Sequence, residues 1–70
     1  MTRLDLHGIR HHEVDRMVEN FILKNQNDFP LEIICGNSSR MIKLAMNAIN
    51  RIGCEVVQSH YGVLIVRRFV

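Results

Sequence analysis

The sequence predicts a small α/β fold in which two helices cover one face of a four-stranded mixed sheet. Short β-rich runs and amphipathic runs follow one another in the order β-α-β-α-β-β. Glycines and the single proline fall between these runs, where turns are needed. Right-handed connections between parallel strands place both helices on the same side of the sheet when the chain keeps moving in one direction. We therefore expect a two-layer α/β sandwich that forms one domain over residues 1–70, with the last strand antiparallel to the third.

Length and composition exclude several classes of protein. The chain has 70 residues, of which 47% are hydrophobic and 23% charged, with a formal net charge of +2, as in one globular domain. No apolar run approaches the roughly 18–20 residues of a membrane span. Two cysteines are too few for a disulfide framework. We expect a cytoplasmic protein with no membrane partner. Because a domain of this size buries only about 60% of its unfolded surface, a homodimer is left open.

The first half of the chain predicts a strand, a helix and a second strand. Residues 3–7 alternate in polarity, so their two leucines face the core, and Gly8 ends the strand. Residues 12–24 carry apolar side chains three or four positions apart, which is typical of an amphipathic helix. After a polar loop, residues 31–35 form a short β-rich run that Gly36 ends.

The second half predicts a helix and a hairpin. Residues 37–39 are all acceptable helix N-caps, and Gly53 supplies the expected stop. Between them runs one apolar stripe, formed by Met41, Ile42, Ala45, Ala48, Ile49 and Ile52. Residues 55–59 and 63–68 are predicted strands, joined by a three-residue turn at residues 60–62.

Charge is distributed unevenly along the chain. Residues 1–35 carry four basic and six acidic side chains, a net charge of −2, whereas residues 36–70 carry five and one, a net charge of +4. The basic residues of the second half, which could meet phosphates, are Arg40, Lys43, Arg51, Arg67 and Arg68. Three or four such contacts to duplex DNA predict a log–log salt slope of about −3 to −4. A merely solvated surface explains the charge equally well.

The ends of the strands are where a binding site is expected. In open α/β sheets, ligands bind outside the carboxyl ends of the parallel strands. That edge should collect residues 7–8 and 35–38, which lie far apart in the sequence. If the third strand is also parallel, residues 60–61 join them. The expected juxtaposition of His7 and Gly36 is the central inference from the sequence.

The loop at residues 36–39 leads into a helix N-terminus, whose free N–H groups favour anions. Arg40 and Lys43 in the first helical turns add positive charge. The predicted phosphate-binding residues are Gly8, Gly36, Asn37, Ser38, Ser39, Arg40 and Lys43. The plain alternative is a capped helix after a tight turn.

Asp5 and His7 stand two residues apart on the first strand, so their side chains are expected on its uncovered face, roughly 7 Å apart. A carboxylate beside an imidazole stabilises the protonated ring and fixes its orientation, as general acid–base catalysis requires. We predict His7 as acid or base with Asp5 orienting it. His60 is a second proton-transfer group if the third strand is parallel. The alternative is an exposed polar face of an edge strand.

Other reactive side chains fit ordinary roles as well. A metal site from Asp5, His7 and His11 is conceivable, and Asp5 alone would offer Mg²⁺ a hard oxygen ligand, but histidines at a helix start are commonly surface residues. His12 lacks the partner histidine four positions later that a zinc-protease helix requires. Cys35 ends a buried strand and is expected to be a small core residue rather than a nucleophile.

Five segments follow one another in a recognisable order: Leu4-Asp5-Leu6-His7-Gly8, an amphipathic helix, Leu31-Glu32-Ile33-Ile34-Cys35-Gly36, a helix with Ile42-Lys43 near its start, and Gly62-Val63-Leu64-Ile65-Val66. In this order they resemble the small MutS-related (Smr) domain family. The resemblance covers residues 3–68. It implies a sandwich like the C-terminal domain of bacterial initiation factor three. It also implies nucleic-acid binding, with endonuclease (nicking) activity on DNA or RNA in several members.

The chain departs from the second of the two family motifs. The first motif falls on Asp5, His7 and Gly8. The second, usually His- or Thr-Gly-x-Gly, falls on residues 35–38, where Cys35 takes the first position and Ser38 replaces the second glycine. A possible acid or base is thereby lost, and the Cβ of serine is expected to restrict the loop. Binding should therefore survive these departures better than cleavage. The alternative is a non-catalytic module that binds nucleic acid or protein.

Overall fold

A computed structural model describes the whole chain from Met1 to Val70 and contains a four-stranded sheet with two helices. Its elements are β1 (Arg3–Asp5), α1 (Val14–Lys24), β2 (Leu31–Ile34), α2 (Ser39–Ile52), β3 (Cys54–His60) and β4 (Val63–Phe69). A single 3-10 turn, His11–Glu13, leads into α1. The predicted α/β class and element order are confirmed.

The strands lie in the order β1-β2-β4-β3. β1 and β2 are parallel, with Asp5 opposite Ile34, whereas β4 is antiparallel to both of its neighbours and places Val63 opposite Ile34. β3 therefore runs in the same direction as β1 and β2, but at the opposite edge of the sheet. The carboxyl ends of β1 and β2 are direct neighbours.

One apolar core joins the sheet to both helices. The side chains of β2 and β4 alternate, so that Leu31, Ile33, Leu64 and Val66 are fully buried. The helices contribute Val14, Val18, Ile22, Met41, Ala45, Ala48 and Ile49, and no polar side chain is buried. Each fully buried Leu, Ile or Val contributes about 1.5–3 kcal/mol, so this layer fixes the strand ends. Neither helix has the length and apolar character needed to cross a bilayer.

Three differences from the predicted boundaries matter most for the local geometry, and the other strand ends differ by one residue. β1 ends at Asp5 rather than residue 7, because Gly8, with φ 79°, turns the chain away from the sheet. The α-helix begins at Val14 after the 3-10 turn, not at residue 12. His60 pairs with Val63, which shortens the hairpin turn from three residues to two.

Candidate functional site

A single open groove of about 1080 Å³ lies where the chain leaves β1 and β2 and enters α2. Apolar side chains, including Leu6, Met41 and Leu44, form its floor. Six predicted site residues line it: His7, Gly8, Gly36, Asn37, Ser38 and Arg40. Residues from distant parts of the sequence therefore share one concave surface.

His7 lies against the loop that follows β2. A Cβ atom added to Gly36 would stand 4.0 Å from Nδ1 of His7. Gly36 has φ 74°, a left-handed conformation that favours glycine. The parallel pairing of β1 and β2 is the cause of this proximity, because it brings their carboxyl ends to the same edge.

The β3–β4 turn supports the loop from the other side. The backbone N–H of Cys35 donates a hydrogen bond of 2.7 Å to the carbonyl oxygen of Gly62. A Cβ atom at Gly62 would overlap the carbonyl oxygen of Gly36. Only glycine allows this close approach of the two backbones, so the turn determines where the loop lies.

Ser38 caps α2 and does not strain the loop. Its φ is −130°, an extended conformation open to any residue, so the expected restriction by its Cβ is wrong. The Ser38 side-chain oxygen accepts a 3.1 Å hydrogen bond from the N–H of Met41. The N–H groups of Ser39 and Arg40 have no intrahelical acceptor, and the Ser38 hydroxyl keeps its own hydrogen to donate.

Asp5 has a different partner from the expected one. Its Oδ1 accepts a 2.8 Å hydrogen bond from the backbone N–H of His7, and the carboxylate makes no hydrogen bond to the imidazole. β1 ends at Asp5, so the strand alternation from which a shared face was predicted stops before His7. Asp5 thus holds the backbone at the turn, while the His7 side chain lines the groove.

Three other predicted residues lie outside the groove. His60 ends β3 at the far edge of the sheet, where its Nδ1 lies 3.2 Å from Oγ of Ser59. The strand has the direction that the prediction required, but β4 and β2 separate it from β1. Ser39 and Lys43 do not line the groove, although Lys43 is exposed one turn after Arg40 on α2.

Neither a metal cluster nor a reactive thiol is found here. No group of three or more His, Cys, Asp or Glu side chains is placed to hold a metal ion, so the ligand set of Asp5, His7 and His11 is wrong. Cys35 is only 3% exposed, and burial raises the pKa of its thiol to about 11. It is a core residue, as expected.

Most basic residues of the second half are already paired with acids. Arg51 lies 2.6 Å from Asp15 and 2.5 Å from Glu19, and hydrogen bonds to these carboxylates raise its pKa. Arg67 and Arg68 lie 3.3 and 3.1 Å from Glu55. None of these three arginines lines the groove, and carboxylates already compensate part of their charge.

The positive charge of the groove comes partly from Arg10, a residue that the sequence prediction missed. Arg10, His11 and His12 line it beside His7 and Arg40. Neither Arg10 nor Arg40 is within ion-pair distance of a carboxylate, and no Asp or Glu lines the groove. The position of Arg10 could have been inferred from the sequence, because the segment directly after the first strand starts at the same edge of the sheet as His7.

Comparison of the chain with models of known protein families, with curated proteins and with solved structures finds no match.

Proposed function

We propose that this chain is a small Smr-type domain that binds nucleic acid by holding backbone phosphates in the groove. The observation that carries this proposal is the charge of the groove, which combines Arg10 and Arg40 with three histidines and no acid. Such a surface attracts an anion without a competing carboxylate. A cytoplasmic location is part of the proposal, in keeping with two free, buried cysteines.

The loop after β2 and the start of α2 are suited to one phosphate. Gly36 lets the backbone approach closely, and the amides of Ser39 and Arg40 point away from helical acceptors. The Ser38 hydroxyl and the Arg40 guanidinium add a donor and a charge. Phosphates carry no base identity, so this contact positions a strand without reading its sequence.

The aromatic residues do not favour recognition by base stacking. The chain has four, Phe21, Phe29, Tyr61 and Phe69, and none lines the groove. Single-strand binders that read bases rely on aromatic platforms. Recognition directed at the backbone or at the shape of DNA or RNA is the form of binding that this groove supports.

Phosphodiester cleavage in the same groove is a separable part of the proposal. Neutral His7 would take a proton from the attacking water as its oxygen bonds to phosphorus, and the leaving oxygen would gain a proton as its bond to phosphorus breaks. His11 or His12 is the donor for that second proton, a role that His60 cannot fill from β3. Asp5 is then a positioning residue, through the backbone of His7.

A non-catalytic binding module is the second candidate, and two observations favour it. The Asp5 carboxylate does not orient the imidazole of His7. Cys35 stands where the family often has histidine, and its buried thiol, with a pKa of about 11, stays protonated at neutral pH.

The deciding experiment incubates the purified protein with labelled branched DNA, duplex DNA and RNA, with and without Mg²⁺. If the groove cleaves, His7→Ala abolishes strand breaks and leaves binding unchanged, whereas the matched control His60→Ala behaves like the wild type. Full cleavage by His7→Ala would show that the assigned role is wrong. Salt-sensitive binding without strand breaks under any condition identifies the non-catalytic module. Failure to bind any of the three substrates overturns the proposed function.

A further inference from the structure

One side-chain contact crosses the groove from the 3-10 turn to α2. Nε of Arg40 donates a hydrogen bond of 3.2 Å to Nδ1 of His11, which is 29 positions away in the sequence. Arginine is always charged and can only donate. The contact therefore requires a neutral His11 whose Nδ1 accepts and whose hydrogen is on Nε2.

The charged groups around His11 come from every segment packed against it. Its own turn carries His12 and Glu13, and Glu13 lies 3.9 Å from Arg16 of α1. The acids at the start of α1 and one turn later, Asp15 and Glu19, are engaged by Arg51.

The remaining neighbours on the groove are cationic or titratable. Arg10 and His7 come from the segment after β1, and Arg40 comes from α2. The loop after β2 contributes no charged side chain between residues 36 and 39. No carboxylate in the groove would stabilise a protonated His11, so an incoming anion is the group that can do so.

We propose that Arg10, His11 and Arg40 form a second anion subsite in the groove, which takes a neighbouring phosphate of the same strand and strengthens as pH falls. The choice of phosphate rests on the proposed function. The subsite itself rests on the Arg40–His11 contact and on the absence of acids from the groove.

The pH dependence follows from what protonation does to this contact. A proton on Nδ1 turns His11 from an acceptor into a donor, so it can no longer accept the hydrogen of Arg40. Two cations then stand side by side, and an anion between them relieves their repulsion while accepting hydrogen bonds from both. Anion binding therefore takes up a proton, and by linkage the affinity rises as pH falls.

The test uses sulfate, which stays a dianion at both pH values of the test, because a phosphate monoester itself changes charge near pH 6. Binding is followed by the backbone amide and arginine Nε–H resonances in NMR titrations at about pH 5.5 and about pH 8. We expect wild-type affinity to be about tenfold higher at the lower pH, a typical size for coupled binding. The Nε–H signals of Arg10 and Arg40 should shift on binding.

Three variants assign that effect to His11. His11→Gln offers polar atoms to Arg40 but does not titrate, so most of the tenfold change should disappear. His12 lines the same groove but makes no hydrogen bond to Arg40, so His12→Gln should lose only a smaller part of the pH dependence of sulfate affinity. His60→Gln should match the wild type. An unchanged pH dependence in His11→Gln, or Arg40 signals that sulfate does not shift, would overturn the subsite.

A second titration, with a short DNA duplex whose phosphodiesters keep a constant charge, separates this inference from the proposed function. If His11→Gln binds the duplex with the same pH dependence as the wild type, the subsite is contradicted and the proposed nucleic-acid function is unaffected. Sulfate binding that depends on His11, together with no duplex or RNA binding at either pH, supports the subsite and overturns the function.

Discussion

At the scale of single residues, burial determines what Cys35 can do. Its backbone supports the loop through Gly62, while its thiol is almost completely enclosed. Loss of solvation penalises the thiolate and raises the pKa of Cys35 to about 11. A thiol that stays protonated at neutral pH is a poor nucleophile and a poor substitute for a histidine base. The acid–base chemistry proposed for the groove would therefore have to come from its histidines.

The same pKa shift predicts a loss of stability in alkali. The thiol pKa is raised from 9.0 to about 11 on folding, so its contribution is complete below pH 9.0 and disappears as pH rises towards 11. A shift of about two units corresponds to about 2–3 kcal/mol. Urea denaturation at about pH 8 and about pH 10.5 measures the loss in the free energy of unfolding between these two pH values. Cys35→Ala should lose less stability over this interval than the wild type, and equal losses would contradict the prediction.

The positions of some site residues follow from where the strands end, whereas the positions of others depend on the direction of their side chains. The rule for parallel strands was sufficient to predict that His7 and Gly36 are neighbours. It was not sufficient for Asp5, because the two-residue alternation holds only while the strand continues, and β1 is shorter than predicted. Arg10 was missed because no periodic pattern marks the segment between a strand and a helix.

At the scale of elements, α2 connects the core to the groove. Its buried side chains fix the axis of the helix against the sheet, and its first residues reach the groove. The apolar stripe and Gly53 made the helix predictable from the sequence. The identity of the cap was not predictable among three neighbouring polar residues, because it depends on where the loop from β2 turns. Ser38 is the residue whose oxygen reaches Met41.

Removal of this cap should destabilise the domain measurably. Ser38→Ala leaves the N–H of Met41 without its acceptor, and the expected cost is about 1 kcal/mol of the free energy of unfolding. Ser38→Gly should cost only a few tenths of a kcal/mol. Urea denaturation of both variants provides the comparison. A glycine variant less stable than the alanine variant would show that the side chain contributes little as a cap.

At the scale of the whole molecule, ion pairs decide which positive charges are available. α1 supplies the carboxylates that engage Arg51, and β3 supplies Glu55 for two arginines of β4. The net charge of the second half of the chain is therefore larger than the positive charge that remains available to a ligand. Arg10, Arg40 and Lys43 are the cations near the groove that no carboxylate engages.

Two or three phosphate contacts predict a log–log salt slope of about −2 to −3 for binding to duplex DNA. This value is shallower than the slope expected from the charge of the sequence alone. Arg10→Ala should reduce the slope by about 1, whereas the control Arg68→Ala should leave it unchanged because Arg68 is paired with Glu55. Fluorescence anisotropy over a range of salt concentrations measures both. A slope near zero would indicate that phosphates are not the ligand.

The class and layers of the fold were predictable, but the strand order was not. A hairpin can place either of its strands beside β2, and both choices give the same order of elements along the chain. β4 occupies the central position, where Leu64 and Val66 are fully buried, whereas Val57 of β3 is 42% exposed. β4 is the more continuously apolar of the two strands, and it takes the central position, where it pairs with a strand on each side.

The contact between Gly62 and the loop after β2 has a consequence for any shortened form of the protein. Every residue of the groove precedes position 45, yet the support beneath the loop comes from the turn that contains Gly62. A fragment that stops before this turn would keep all the ligand-facing side chains and lose the surface that shapes them. The proposed ligand binding should therefore require the complete fold, and a truncated product is expected to lose binding entirely rather than in part.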